Sequence, residues 1–330
     1  GSRQDPSRIL SNYMGVRNQD DYNNNLIVRG NAPNSFQWNL EGVPMPNPGY
    51  LGDFNMNGGL ANIFSPRILN QSDVHLGAFS AEQGNALAGV FDARLRHRAV
   101  EKLTFSGQLN SATGAEVMLE GLTQKSKNAG YFFVNYRLSK SNYLTYLIAN
   151  AMNSNNTAPQ SIPSFQDLSF KVVLPSENLG EFTFFGISGF ANRNIDAIRN
   201  NSLAIQDQFI QKDEVSRNLS IIGVGGIKHR INLKETRRSN SYIQTTLATT
   251  FLNTKQSLLL KEGRDTSLFK DLNDRKNSIV FSSIYHQKFD QKLTFQGGIL
   301  NEKILFNLDG QETSTTLDFM PDFGSIDKGN

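Results

Sequence analysis

From about residue 100 onward, apolar and small polar residues alternate one for one. Leu103, Phe105, Gly107 and Leu109 are interleaved with Thr104, Ser106, Gln108 and Asn110. Ile243, Thr245, Leu247, Thr249 and Phe251 are interleaved with Gln244, Thr246, Ala248 and Thr250, and Leu293, Phe295, Gly297 and Ile299 with Thr294, Gln296 and Gly298. Successive side chains of an extended chain point to opposite faces, so this period predicts antiparallel strands with one apolar and one wet face. The first hundred residues have another pattern, short apolar runs punctuated by Gly and Pro. Asp5 suits an N-cap, Pro6 a first helical position and Gly15 a stop, which predicts a helix over 7–14. Strands are predicted at 26–28, 36–43, 73–78 and 90–96. Residues 44–59, with Pro44, Pro46, Pro48 and four glycines, read as a loop, and 60–64 as a helical turn ended by Pro66.

Two architectures produce the alternation. A β-sandwich turns its apolar faces inward. A transmembrane barrel turns them to lipid and its polar faces to the lumen. Strand candidates of about ten residues match the ~9–11 needed to cross a bilayer at a tilt. Tight turns at 110–114 and 289–292 contrast with long polar connections at 191–217 and 252–277, and Tyr131, Tyr136, Tyr143, Tyr242 and Tyr285 suit interfacial girdles. The pattern alone leaves both architectures open.

Composition narrows the function more than the fold. With 19% charged and 38% hydrophobic residues in 330, and no apolar run of about 18, helical membrane spans are excluded. A net charge of +3 gives no footprint for nucleic acid. There is no cysteine, and His75, His97, His229 and His286 never fall at i, i+4 spacing, which argues against a metal or His-based catalytic centre. Yet 23 Phe and 9 Tyr coexist with a mean hydropathy of −0.41. Gly223, Gly225 and Gly226 sit inside a strand pattern with no helix following, which reads as a bulge or bend rather than a nucleotide loop. Glu116 and Glu120 share one strand face and read as ordinary lumen carboxylates, not an acid/base pair. Asp20, Asp21 and Asp53 lack metal-loop spacing, and the basic run 234–238 reads as a solvated loop or headgroup contact. No enzyme activity and no cofactor are expected.

The string LIVRGNAPNSFQWNLEGVPMPNP at 26–48 resembles the plug domain of TonB-dependent outer-membrane receptors, in the Bacteroidetes-type form. GAFSAEQGNALAGVFDARLR at 77–96 resembles the last plug strands, and AGYFFVNYRLS (129–139), SFQDLSFKVVLP (164–175) and GEFTFFGISG (180–189) resemble early barrel strands. The resemblance implies an α+β plug over 1–100, incomplete at its N-terminus, followed over 101–330 by the first eight to ten antiparallel transmembrane barrel strands with long extracellular loops. About 22 strands of ten residues would use roughly 220 residues in strands alone, too many for the chain after residue 100, so an incomplete barrel is expected. The implied function is active transport of a scarce solute (siderophore, peptide or oligosaccharide) across the bacterial outer membrane, energised by the periplasmic and inner-membrane TonB complex, whose binding box is not expected in this chain. Outer-membrane lipid is the implied surroundings, and a surface lipoprotein a candidate companion. The alternative is a secreted β-sandwich adhesin or glycan-binding module. Arg29 matches the family's plug arginine, which pairs with barrel glutamates; Arg94, with Arg96 beside it, is a further candidate for that contact. The 44–59 loop adds rings and amides suited to a polar solute, so Asn47, Tyr50, Asp53, Phe54 and Asn55 are the expected substrate contacts.

Overall fold

A computed structural model describes residues 5–19, 23–98, 100, 102–110, 114–124, 129–139, 164–196, 214–235, 240–262, 265–290 and 292–312. Asp20, Asp21, Tyr143, the centre of the 110–114 turn and most of 234–238 lie outside these residues.

Helix α1 (Pro6–Leu10) begins where Asp5, in extended conformation, accepts a 2.9 Å hydrogen bond from the Ser7 amide. It ends short of 14 because the Ser11 hydroxyl and Asn12 amide turn back onto the carbonyls of Arg8 and Ile9, competing with the helical ladder. Strands β1 (Val16–Asn18) and β2 (Leu26–Val28) pair antiparallel. A four-stranded sheet follows, formed by β3 (Phe36–Leu40), β4 (Val43–Met45), β7 (Asp73–His75) and β8 (Gly89–Ala93) in the order β4-β3-β8-β7, with β3 and β8 parallel. The expected 36–43 strand is a hairpin instead. Glu41 and Gly42 carry φ of 54° and 80°, and two positive φ values in succession reverse the chain.

The 44–59 stretch also holds β5 (Gly49–Tyr50), which pairs with β6 (Ala61–Asn62) where a helical turn is expected. Gly49 and Gly59 lie backbone against backbone across this ladder, an approach that a Cβ would forbid, and that closeness selects strand over helix. The core of this N-terminal unit gathers on Trp38, whose ring meets Phe36 at 5.4 Å and Phe91 at 5.3 Å between centroids. Its indole N–H donates to the Asn57 carbonyl, and the Asn57 side chain in turn brackets the backbone N–H and C=O of Leu26.

The rest is one nine-stranded antiparallel sheet, each strand pairing with the next. It comprises β9 (Thr104–Asn110), β10 (Gly114–Leu122), β11 (Tyr131–Ser139), β12 (Ser164–Ser176), β13 (Gly180–Asp196), β14 (Glu214–Glu235), β15 (Asn240–Glu262), β16 (Asp265–Lys288) and β17 (Thr294–Glu312). Much of one expected connection and the ends of another are strand. Residues 252–262 and 265–277 continue the β15–β16 ladder with a single register shift at Leu258/Leu259, and the β13–β14 ladder reaches Asp196↔Val215. Ladder hydrogen bonds are indifferent to side-chain polarity, so polar residues extend these arms as readily as apolar ones. Gly223–Gly226 shows no bulge; its register with β13 and β15 is unbroken, and the Phe251 ring fills the space above Gly223.

The N-terminal unit packs on one face of the sheet. That face carries Asn135, Arg137 and Ser139 on β11 and Asp167, Ser169 and Lys171 on β12, all buried. The opposite face carries Val134 and Tyr136 on β11 and Leu168, Phe170 and Leu174 on β12, all exposed. The buried charges lie on the inner face, among buried Phe133, Phe165, Phe185 and Ile187, and the outer face of these two strands is mainly apolar. On β15 the outward positions run Ile243, Thr245, Leu247, Thr249, Phe251 and then turn polar at Asn253, Lys255 and Ser257; their partners on β16 do the same, Ile279 and Phe281 giving way to Asn277, Arg275 and Asn273. Nine residues of strand span roughly 30 Å, which at a tilt of about 40° covers ~23 Å. Of the tyrosines expected in girdles, Tyr136 and Tyr285 hold outward positions, whereas Tyr131 and Tyr242 share the inward parity.

Candidate functional site

Three charged clusters join the N-terminal unit to the sheet. Glu41, raised on its hairpin turn, receives Lys171 Nζ at 2.7 Å on Oε1 and Lys228 Nζ at 3.0 Å on Oε2, and its Oε1 also accepts the Leu95 amide. Burial alone would raise this carboxyl, but Lys228 and Lys171 override it and bring the pKa down to about 2. Arg137 grips Asp167 through Nε and Nη2, the shortest contact being 2.7 Å, and Nη2 also donates to the backbone carbonyls of Asn62 and Ile63. The Tyr50 hydroxyl donates to the same Asp167 at 3.3 Å while its ring stacks on Phe165. Burial, reinforced by the Asp167 carboxylate, pushes the Tyr50 phenol well above its ordinary range, so it remains a neutral donor. Gly189, opposite Asp167 on β13, makes room for that hydroxyl; any Cβ there would strike it. Arg96 forms a two-pronged pair with Glu120 at 3.0 and 3.2 Å, and Tyr131 donates to the same carboxylate at 2.9 Å. Beside it Arg67 donates to Ser106 and to the Glu116 carbonyl.

Towards the end of the sheet where β13–β14 and β15–β16 join, the 44–59 loop and the inward faces of β15–β17 enclose a cavity of about 420 Å³. Phe54 and Phe306 face each other across it with ring centroids 6.4 Å apart. Gln256 fastens one wall by donating to the Gly52 carbonyl. Asp53, Asn55, Asp274 and Lys276 complete the polar lining.

Of the expected substrate contacts, Asp53, Phe54 and Asn55 line this cavity. Asn47 also borders it, but its amide is spent within the loop, donating to the Gly58 carbonyl and accepting from the Gly49 amide. Tyr50 is a correction. It is fully buried in the Arg137–Asp167 cluster, so it acts in holding the two parts together and offers no surface to a solute. Arg94 is a second correction, since it pairs with Asp73 at 2.9 Å inside the N-terminal unit and lies exposed. It is Arg96, two residues on, that crosses to the sheet. Arg29 is exposed at φ 49° with its side chain against Gly15, and among the described residues it enters no ion pair. Glu41, Arg137, Asp167, Lys171 and Lys228 escape the sequence reading. The signal for three of them was present, since Arg137, Asp167 and Lys171 occupy the polar phase of strands whose other phase is apolar.

No protein-family model matches the chain and no curated protein is similar to it in sequence. Among solved structures it is similar to the ferric citrate transporter FecA in unliganded form, at 11% identity over 95% of this chain and 58% of that one, with a TM-score of 0.45. The ferric yersiniabactin uptake receptor FyuA from Yersinia pestis matches at 8% identity, 94% and 60% coverage and a TM-score of 0.45. The FrpB iron transporter from Neisseria meningitidis matches at 11%, 92% and 60%, with a TM-score of 0.45. The chain spans about three fifths of the length of each of these proteins.

Proposed function

We propose that the chain is part of an outer-membrane uptake receptor of the TonB-dependent, Bacteroidetes-type group that its plug-like and barrel-like strings resemble. In this reading residues 1–100 are the plug and 101–330 contribute wall strands of a larger barrel. The carrying observation is the inverted polarity of the sheet, with buried Arg137, Asp167 and Lys171 on the face toward the N-terminal unit and exposed Val134, Leu168 and Phe170 on the other. A sheet in water gains nothing by that arrangement, whereas a sheet in lipid requires it. The same inversion counts against a secreted β-sandwich, whose apolar faces meet in its core.

The mechanism follows from the contacts. The protein supplies a pocket on the outer side and a seated plug; the inner-membrane partner supplies the work. Buried ion pairs suit such a joint, because they are selective in register yet cost much to leave half-broken. Each pair therefore breaks completely and does not loosen by degrees when the partner pulls. No bond chemistry is involved, and a surface lipoprotein remains a candidate lid.

Trp38, the one tryptophan, is buried in the N-terminal unit and serves as an internal control. Leu168→Trp and Leu247→Trp, each reconstituted in vesicles whose acyl chains carry bromine, should add emission that is strongly quenched while Trp38 is spared. A protein that stays monodisperse in detergent-free buffer with unquenched added tryptophan would sink the reading.

A further inference from the structure

We infer that the cavity between Phe54 and Phe306 takes a zwitterionic solute of the peptide class, a short peptide bearing an aromatic or large apolar side chain. The inference rests on the reading above only in taking the cavity as a solute site. Asp274 lines it, is 7% exposed, and its Oδ1 has no hydrogen-bond partner among the described residues. A buried carboxylate oxygen without a protein donor is open to a donor from the cavity, and a cationic group of a solute supplies a stronger one than water. Two residues along the same face of β16, Lys276 presents an ammonium to the same space. Positions i and i+2 of a strand are roughly 6.6 Å apart at Cα, and among the described residues the two side chains form no ion pair with each other or with any third group. An acid and a base held apart on one wall await a ligand that carries both complements, separated by a few bonds.

The aromatic pair settles the remainder. The rings of Phe54 and Phe306 stand at 40° to one another, a wedge rather than a stack, and both are about half exposed. A third flat or bulky apolar group can pack against the exposed edges of both rings, beside the pair and not between them. A neutral oligosaccharide would bring no charged donor to Asp274 Oδ1 and no anion to Lys276. A multiply anionic chelate would bring its charge against the buried Asp274 carboxylate. The volume of about 420 Å³ falls in the range of small-molecule sites.

The test is calorimetric titration of the full chain in detergent with three probes, phenylalanyl-phenylalanine, the same dipeptide acetylated and amidated to remove both charges, and citrate. The free dipeptide should bind about tenfold or more tightly than the capped form, the value of a charge-assisted hydrogen bond, and citrate should not compete. Asp274→Asn and Lys276→Gln should each erase that preference while leaving the capped dipeptide unchanged; Phe54→Ala should weaken both dipeptides alike. Equal affinity for free and capped dipeptide in the unmodified chain overturns the inference without needing any variant. So does citrate binding that Phe54→Ala abolishes, which would keep the cavity as a solute site but change its class. Peptide preference with unquenched lipid reporters would instead remove the membrane reading and leave the site.

Discussion

At Glu41 a single carboxylate answers two ammonium groups, and the consequence can be measured against pH. Its pKa lies near 2 in the folded protein against an ordinary 4.5, so the contact contributes fully above about pH 4.5 and is lost as pH falls toward 2. Proteolysis of the 36–45 hairpin, slow at pH 6, should accelerate over that interval. Glu41→Gln should cost about 3–5 kcal/mol in urea unfolding, because Lys171 and Lys228 keep their buried charge without a counter-ion, and should flatten the acid profile. Unchanged acid sensitivity in the variant would remove Glu41 from its assigned role. Gly189→Leu is the matching test of Tyr50. The new side chain must expel the phenol from Asp167, so the N-terminal unit should loosen while β12 and β13 stay paired, seen as faster amide exchange at 49–62 alone. These residues also show where the sequence stops speaking. Tyr50 sits in a loop whose composition suggests ligand contact, but its burial is decided by a glycine on β13 more than a hundred positions away. Arg94 and Arg96 are alike in sequence; only the acids of the N-terminal sheet, Asp73 and Asp92, decide which of them is free to cross.

Among the elements, many strands were legible because a two-residue period is local, and the stop at Gly15 is set by a residue that tolerates positive φ, whereas the Glu41–Gly42 turn was not legible because Glu41 seldom adopts such a φ. Length was not legible either. Polar arms such as 253–262 look like loop because they lack the alternation, yet their backbones pair with β16 and so extend the ladder beyond the apolar band. The band itself yields a depth profile. Leu247→Lys, in its middle, should cost about 2–4 kcal/mol for folding into vesicles, whereas Asn253→Lys, beyond its edge, should cost about 0–1 kcal/mol. Equal tolerance at both positions would mean that the outward face does not meet hydrocarbon.

For the molecule as a whole, the alternation fixes that one face is apolar but not which way it points. That depends on what covers the polar face, and here the cover is the chain's own N-terminal unit, bonded through Glu41, Arg96 and Asn62 to β10, β11, β12 and β14. Contacts with β15–β17 are of another kind. Among the described residues they include Gln256 to Gly52, Gln296 to Glu82, the Phe54–Phe306 pair and apolar packing by Ala248 and Val280, with the cavity and a second crevice of about 210 Å³ between them.

That lopsided distribution of contacts has a mechanical meaning. A load that drew all the ion pairs apart together would meet their summed resistance, as shear does along a glued seam. A load entering on the weakly held side would open the seam from one edge and meet them in sequence, as peeling does, at far lower peak force. Under tension the same joint is therefore stiff in one direction and compliant in the other, and the 44–59 loop stands at the compliant edge.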